Sequence, residues 1–526
     1  MNTATALPRR WSDWHFITFL LLAAIVLKSW LIGRSLMFAR DGVGFIELAQ
    51  CFKEEPWGEV MRKAHQHPLY PLNICATASL YERCVDHPLS NLDWLYCAHL
   101  ANAWASALVC IPMYLLGKRL GGPWVGFGGT LLFIVLPMPA GVLADTLSEG
   151  TYLLCLVTGL WALTVGLETK RLFWFGTAGL FGGLAFLARP EGAMLPVVGI
   201  PIILAMKWRQ VWPESWTRTL ALATVLAALT LCVTVPYWAT IGGFGKKNTF
   251  KEMLNVERKA EPAVSTRMLL ASRFQPGVDG CAWDNVTMLF VGRTILTEMA
   301  KGFGYFAFVP ALFGAWLLVR RPRLRSGPAG WVLITVGLLN WVLLGWLAWK
   351  AHYVSERHTI LIVLFGCWLT MLALATGGAW LTARWPMLAG RARWLAIGSL
   401  ALLLTAGLIE DLRPQHHARI AHREVGFWLK EHLEPSDRVV DPYSYAAFFA
   451  ERRVLFKKPG TRPLAQDDRI YLVFEPGEKD AERLRTANKV KNRGEIVKQL
   501  PDDAKPRVVV YCSKGAPVPP ALTAGK

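Results

Sequence analysis

The chain has 526 residues, is 53% hydrophobic, contains 24 Trp and carries a formal charge of +19. A soluble chain of this length divides into several cores with amphipathic elements around each, but here the apolar residues gather in unbroken runs with no polar stripe. The positive charge does not point to nucleic acid, because Lys and Arg sit in the short links between those runs, where cytoplasmic loops of membrane proteins carry them.

The runs include FITFLLLAAIVL, LATVLAALTLCVTVPYW, WVLITVGLLNWVLLGWLAW and WLAIGSLALLLTAGLI. Each approaches the roughly 20 residues that cross a bilayer core as a helix. The N-terminal stretch MNTATALPRRWSDWHFITFLL has a basic flank and an apolar run but no small-residue cleavage site, so it reads as a retained first helix. Eleven spans are predicted in all, at 14–33, 92–116, 123–143, 147–168, 172–188, 193–207, 218–239, 302–319, 328–349, 358–381 and 393–410. The fold class expected is therefore mainly α, a polytopic transmembrane helix bundle over residues 1–410.

Orientation follows from the basic residues. With the N-terminus in the cytoplasm, the inner links carry Arg9, Arg10, Lys118, Arg119, Lys170, Arg171, Lys207, Arg209 and Arg218. Later inner links add Arg320, Arg321, Arg323, Arg325, Arg384, Arg391 and Arg393, whereas the short outer links hold only Arg189, Lys350 and Arg357. Arg413, Arg419 and Arg423 run against this bias and are assigned to a folded outer domain, where charge has less influence on topology.

Two outer loops are long, 34–91 and 240–301. In the first, VGFIELAQCFKE and YPLNICATASLY are too apolar to stay solvated and read as helices lying on the membrane surface. Residues 411–526 change character. HHARIAHREVGFWLKEHL reads as an amphipathic helix, RVV, RIYLVF and RVVVYC as buried strands, and SYAAFFAE and KDAERLRTANKV as helical segments. This alternation predicts a small α/β domain outside the membrane, with no Gly-rich phosphate loop. The ten cysteines form no CxxC pair; Cys51, Cys75, Cys84 and Cys281 fall in predicted outer loops, where a disulfide is possible.

Charged groups at a membrane face need a reason to be there, and four places stand out. Asp41, in Arg40-Asp41-Gly42, is either a proton acceptor made more basic by desolvation or the N-cap of a helix that begins at Gly42. Asp145 and Glu149, one helical turn apart, are placed to share a face, although Asp145 also suits a cap of the fourth span. Arg189-Pro190-Glu191-Gly192 makes a turn in which Arg189 and Glu191 can neutralise each other. In Tyr353-Val354-Ser355-Glu356-Arg357-His358, a guanidinium at a helix N-terminus calls for an anionic partner, with Glu356 the nearest. An arginine fork also suits phosphate. His65, His67 and Lys28 are further donors on this face, and no His spacing defines a metal site.

Taken in order, these stretches resemble the GT-C polytopic glycosyltransferases, in particular the family of protein O-mannosyltransferases and bacterial lipid A aminoarabinose transferases (glycosyltransferase family 39-like). RDGVGFIELAQ resembles the acidic motif of the family's first outer loop, and HQHPLYPL its His-Pro-Leu-Tyr-Pro stretch. DTLSEGTYLL resembles the second acidic motif and GGLAFLARPEGAMLPV the Arg-Pro-Glu-Gly turn. SERHTILIVLF resembles the late Arg-Tyr motif and EVGFWLKEHLEPSDRVV the opening of the outer domain. His358 stands where Tyr is commoner and Phe45 where Tyr often follows the acidic motif, departures that bear on substrate preference rather than reaction class.

The resemblance implies a membrane glycosyltransferase that moves a sugar from a polyprenyl-phosphate donor to a lipid, glycan or protein acceptor on the outer face, with inversion. It implies Asp41 and Asp145 as catalytic residues, Asp41 deprotonating or orienting the acceptor and Asp145 positioning acceptor or sugar. Arg357, Arg189 and His67 would hold phosphate, and Arg40, Tyr70, Glu149, Glu191, Tyr353 and His358 complete the substrate-binding set. No cofactor is expected, since the donor is a substrate, and a divalent metal stays open. The form of the motifs favours a bacterial inner membrane. A flippase of lipid-linked sugars and a non-catalytic membrane scaffold are the alternatives. The first would predict internal repeats, which the sequence lacks, and the second leaves the acidic motifs unexplained.

Overall fold

The computed structural model describes residues 12–243, 283–321, 324, 327–351, 354–388, 390–413, 416–452, 469–476, 495–501 and 506–514. Tyr353, most of the 240–301 loop, Cys281 and the segment KDAERLRTANKV lie outside them.

Eight helical stretches among the described residues are long and apolar enough to cross a membrane, and three shorter apolar helices accompany them. The protein is an integral, multi-pass membrane protein. In chain order the bundle begins with α1 (Asp13–Arg34), followed by three short helices, α2 (Asp41–Glu54), α3 (Trp57–Lys63) and α4 (Leu69–Tyr81). Next come α5 (Asn91–Gly121), α6 (Pro123–Val135), α7 (Pro137–Val142), α8 (Glu149–Thr169), α9 (Leu172–Ala188), α10 (Met194–Trp208) and α11 (Trp216–Ile241). The bundle closes with α12 (Trp283–Gly302), α13 (Phe308–Arg320), α14 (Pro328–Ala351), α15 (Ile360–Arg384) and α16 (Ala392–Asp411).

Local chemistry sets the boundaries. Ser90 accepts a hydrogen bond from the Asp93 amide at the start of α5, and Ser215 does the same for Arg218 at α11; both satisfy amides that a helix leaves orphaned. The expected continuous span 123–143 is broken at Pro137, which has no N–H to continue the ladder. Carbonyls near this break find a donor within the bundle: the Lys28 ammonium of α1 donates to Ala140 O at 2.7 Å and Pro139 O at 3.4 Å. Lys28 is thus an internal tie, not a donor at the membrane face. Small residues let the helices approach. A Cβ on Gly314 of α13 would stand 1.9 Å from the Leu369 carbonyl oxygen of α15, so only glycine fits there.

Beyond α16, α17 (Ile420–His432) and the short α18 (Tyr445–Phe449) accompany a four-stranded sheet. Its strands are β1 (Arg438–Val440), β2 (Arg469–Phe474), β3 (Glu495–Leu500) and β4 (Val508–Lys514), in the order β1-β2-β4-β3. β1 runs parallel to β2, and the other pairs are antiparallel. Val425 and Leu429 of α17 pack with Tyr471, Val473, Val508 and Val510 from the sheet. Two details differ from expectation. β1 is half-buried rather than buried, because it is a three-residue edge strand, and β3 is a strand the apolar pattern did not reveal. Cys75 and Cys84 are free thiols.

One apolar cluster fastens this domain to the bundle. Phe38, Val43 and Ile46 meet Tyr70 and Ile74 of α4, Trp94 of α5, and Tyr445, Phe448 and Phe449 of α18. Residues 37–46 therefore lie between the helices and the C-terminal domain.

Candidate active site

Asp41 is the first residue of α2, in its first turn, and the N-cap position belongs to Arg40, whose side chain makes no cap hydrogen bond. The Asp41 carboxylate meets Arg357, with Arg357 Nη1 to Asp41 Oδ2 at 2.8 Å. The two side chains are 48% and 30% exposed respectively, so Asp41 sits in an open, ion-paired position rather than a desolvated one. Glu356, the nearest carboxylate in sequence, is not the partner. It lies in the field of Glu298 and Lys301. Arg357 sits in a single 3-10 turn, Glu356–Thr359, ahead of α15. The same turn holds His358, whose Nδ1 accepts from the Ser355 amide at 3.0 Å.

Asp145 and Glu149 do not share a helix face. Asp145 precedes α8, whose N-cap is Ser148, and neither residue caps the helix with its side chain. Asp145 is buried, 4% exposed, with each oxygen engaged. Oδ1 accepts from the amides of Ala39 at 2.9 Å and Thr146 at 2.7 Å, while Oδ2 accepts from His416 Nε2 at 2.8 Å. Burial alone would raise its pKa, but the hydrogen bond and charge of His416, with His99 and the Ala39 amide, hold the carboxyl below the ordinary Asp value. Asn102 of α5 braces this turn, donating to Asp145 O and Val142 O and accepting from the Gly150 amide.

Glu149 opens α8 and is 2% exposed. Its Oε1 takes a hydrogen bond from Arg189 Nη1 at 2.6 Å, and its Oε2 is buried without a hydrogen-bond partner. Arg189 also reaches Glu191 Oε1 at 3.2 Å and lies over the Tyr152 ring at 5.8 Å from the centroid. The turn thus holds two carboxylates against one guanidinium, not the simple Arg189–Glu191 pair that their spacing implied. Arg189 is kept firmly charged, since the attraction of Glu191 and Glu149 overrides its burial.

The two ion-paired groups face each other. Arg357 lies within the electrostatic reach of Glu149 and Arg189 as well as Asp41, and His358 within that of Arg189 and Glu191. Tyr70, fully buried, donates its hydroxyl to Ala98 O at 3.0 Å, and burial together with Asp145 and Glu149 pushes its pKa well up. Asp41, Asp145, Glu149, Arg189, Glu191, Arg357 and His358 therefore converge at one end of the bundle. His67 is buried between Phe186 and Tyr237, at ring distances of 5.3 and 5.7 Å. Arg40 turns away, donating to Pro442 O of the C-terminal domain at 2.5 Å. His65 is exposed. Among the described residues no group of three or more His, Cys, Asp or Glu side chains is arranged to hold a metal.

His416, Asn102 and His99 were missed by sequence reasoning. His99 and Asn102 are polar residues within a span, a signal of function by itself, whereas His416 is masked by the polar stretch around it, and the partners of all three are remote in sequence.

The fold that carries these residues has counterparts among known proteins. Residues 95–238 match the family described as dolichyl-phosphate-mannose-protein mannosyltransferase. The crystal structure of ArnT from Cupriavidus metallidurans bound to undecaprenyl phosphate superposes with a TM-score of 0.56 at 14% identity, covering 95% of this chain and 98% of that one. Its apo state gives a TM-score of 0.56 at 14% identity, with coverages of 98% and 99%. The Archaeoglobus fulgidus oligosaccharyltransferase in complex with Zn and sulfate gives 0.55 at 12% identity. That match takes in 83% of this chain but only 61% of the archaeal protein. A search of curated proteins returns no match.

Proposed function

We propose that this chain, which has the GT-C fold of membrane glycosyltransferases of the protein-mannosyltransferase and ArnT type, transfers a sugar from a polyprenyl-phosphate donor to an acceptor, with inversion. The observation that carries this reading is the Asp41–Arg357 pair, an accessible carboxylate held at 2.8 Å by a guanidinium beside a buried cluster of opposite charges. Its parts match what the reaction needs. The bond between the anomeric carbon and phosphate breaks with positive charge developing on the sugar, and the departing phosphate gains negative charge that preorganised cations stabilise. Arg357 is the cation assigned to the phosphate, because its planar fork accepts two oxygens at once. Asp41, released from that pairing as phosphate engages Arg357, takes the proton of the acceptor hydroxyl as its oxygen bonds to the anomeric carbon. The phosphate leaves from the opposite face with the electrons of the broken bond. Arg189, committed to Glu149 and Glu191, is assigned to holding Glu191, the more exposed member of the pair, where sugar hydroxyls can reach it, with Glu149 buried behind as the counter-charge.

The lipid tail of such a donor requires a surface within the bilayer, which the apolar helices supply. One structural neighbour was solved with undecaprenyl phosphate, a lipid phosphate of the class proposed here. The acceptor is a lipid, glycan or protein hydroxyl. The positive-inside bias supports a cytoplasmic N-terminus and an outer site and C-terminal domain, and the form of the sequence motifs with a single small C-terminal domain supports a bacterial inner membrane.

The test uses the purified protein in lipid nanodiscs with a panel of polyprenyl-phosphate sugars and candidate acceptors, following release of free polyprenyl phosphate. Release by wild type and not by Asp41→Asn is expected. Release undiminished in Asp41→Asn would remove Asp41 from the chemistry, and no release from any donor would sink the transferase reading.

A further inference from the structure

The residues just before Asp41 are gripped on nearly every side by groups from far along the chain. Arg34 Nη1 donates to Leu412 O at 3.2 Å, and Arg423 Nη1 to Leu36 O at 3.4 Å. The Tyr445 hydroxyl donates to Phe38 O at 3.1 Å while receiving a hydrogen bond from Arg419 Nη1 at 2.7 Å. Arg40 reaches Pro442 O, and the Phe38 ring is fully buried edge-on against Tyr445, Phe448 and Phe449. Ala39 is fixed from the bundle side, by Asp145 Oδ1 on its amide, and the other oxygen of that carboxylate belongs to His416. His416 stands at the entrance to the C-terminal domain, with backbone in the left-handed region (φ 53°).

We propose that the C-terminal domain is a positioning element for the transfer reaction and that His416, acting through Asp145 on the Ala39 amide, is the residue that fixes the place of Asp41. The proposal rests on the transferase reading above. Asp145 is too buried to be oriented by solvent, so its rotamer depends on the donors that surround it. His416 is the one side-chain donor on Oδ2 among the described residues. With Oδ2 tied down, Oδ1 is aimed at the backbone two residues before Asp41. The Tyr445 and Arg40 contacts stop the same segment from sliding lengthwise. None of these groups touches Arg357, so loss of His416 displaces the base without dismantling the cation proposed to hold phosphate.

The experiment compares wild type, His416→Ala, His416→Gln and Tyr445→Phe as full-length proteins in nanodiscs. Two readouts are taken: hydrogen–deuterium exchange of the amides over 36–45, and steady-state release of polyprenyl phosphate. His416→Ala is expected to speed exchange at Ala39 and its neighbours and to lower kcat by about tenfold or more, the scale that sub-ångström to ångström misplacement of a reacting group produces. The donor KM should stay within about twofold, because the phosphate cation is untouched. His416→Gln, which keeps a neutral N–H donor, should recover most of both, and Tyr445→Phe should loosen the same segment at Phe38. Unchanged exchange in His416→Ala, or unchanged kcat despite loosened exchange in an active enzyme, overturns the proposal. Should wild type turn over no donor, the transferase reading falls by itself, while loosened exchange in His416→Ala still upholds the grip on the segment.

Discussion

A single methyl group at Gly42 tests how tightly the Asp41 carboxylate is located. A Cβ built there falls 1.8 Å from Thr146 Oγ1, 2.8 Å from Thr146 Cβ and 3.0 Å from Phe38 Cδ2. Thr146 is fully buried and its amide is bonded to Asp145, so its backbone cannot retreat freely. Turning the Thr146 side chain removes the hydroxyl clash but leaves its Cβ too close. Restoring ordinary contact of 3.4 Å therefore moves the start of α2 by about half an ångström if the side chain rotates, and by about one and a half if it does not. Asp41 is the adjoining residue and moves with it. A displacement near 1 Å can cost about 100-fold in rate, so Gly42→Ala is expected to lower kcat between tenfold and a hundredfold, as ~1.4–2.7 kcal/mol in the barrier. Overpacking of this kind costs about 1–3 kcal/mol of stability, so the variant should fold, with a lowered melting temperature. The assay is donor release in nanodiscs alongside thermal unfolding, with Thr146→Gly added to reopen the space. Wild-type kcat and melting in Gly42→Ala would refute the claim that close packing of the two acidic motifs sets the site.

Other outcomes follow from the buried charges. Arg189→Met leaves Glu149 buried without its cation, and breaking such a pair typically costs about 3–5 kcal/mol, towards the low end here because the Arg189 side chain is 21% exposed. Adding Glu149→Gln should recover much of that loss in a double-mutant cycle read by denaturant midpoints; additivity within about 0.5 kcal/mol would count against the pairing. Asp145 supplies a pH test. Its carboxyl is held below the ordinary value, so its stabilising contribution is complete above a pH of about 4 and is lost as pH falls through the depressed value. His416→Ala removes the chief opposition to burial, so the depression shrinks or reverses, stability is lost at neutral pH, and the acid limb of the thermal-stability profile should become shallower. Superimposable acid limbs for the two proteins would contradict that account.

The membrane-spanning helices were legible because a run such as WVLITVGLLNWVLLGWLAW needs no partner to declare itself. The Pro137 break was less so, since the apolar run continues across it and only the missing N–H divides it. Chemistry-bearing residues were legible as types in places where a charge is costly, but their pairings were not. Adjacency in the sequence pairs Arg357 with Glu356, whereas the fold gives it Asp41. The four-residue spacing of Asp145 and Glu149 puts them on one face only if both are helical, and the helix begins at Glu149, sending the one to His416 and the other to Arg189. β3 escaped notice because its residues, Glu495 to Leu500, are exposed to half-buried and carry charge at the sheet edge.

The span of chain that these contacts bridge has a consequence for how the protein is made. Tyr445 and Phe38 are 407 residues apart, and His416 and Asp145 are 271 apart. Asp41 is synthesised early, before any of the groups that hold it exist, and its neighbourhood is finished only after α16 has been inserted and the C-terminal domain has folded. Assembly thus acts as a timer: a nascent chain still leaving the ribosome carries the acidic motif but not the geometry around it, and competence arrives with the last helices rather than the first.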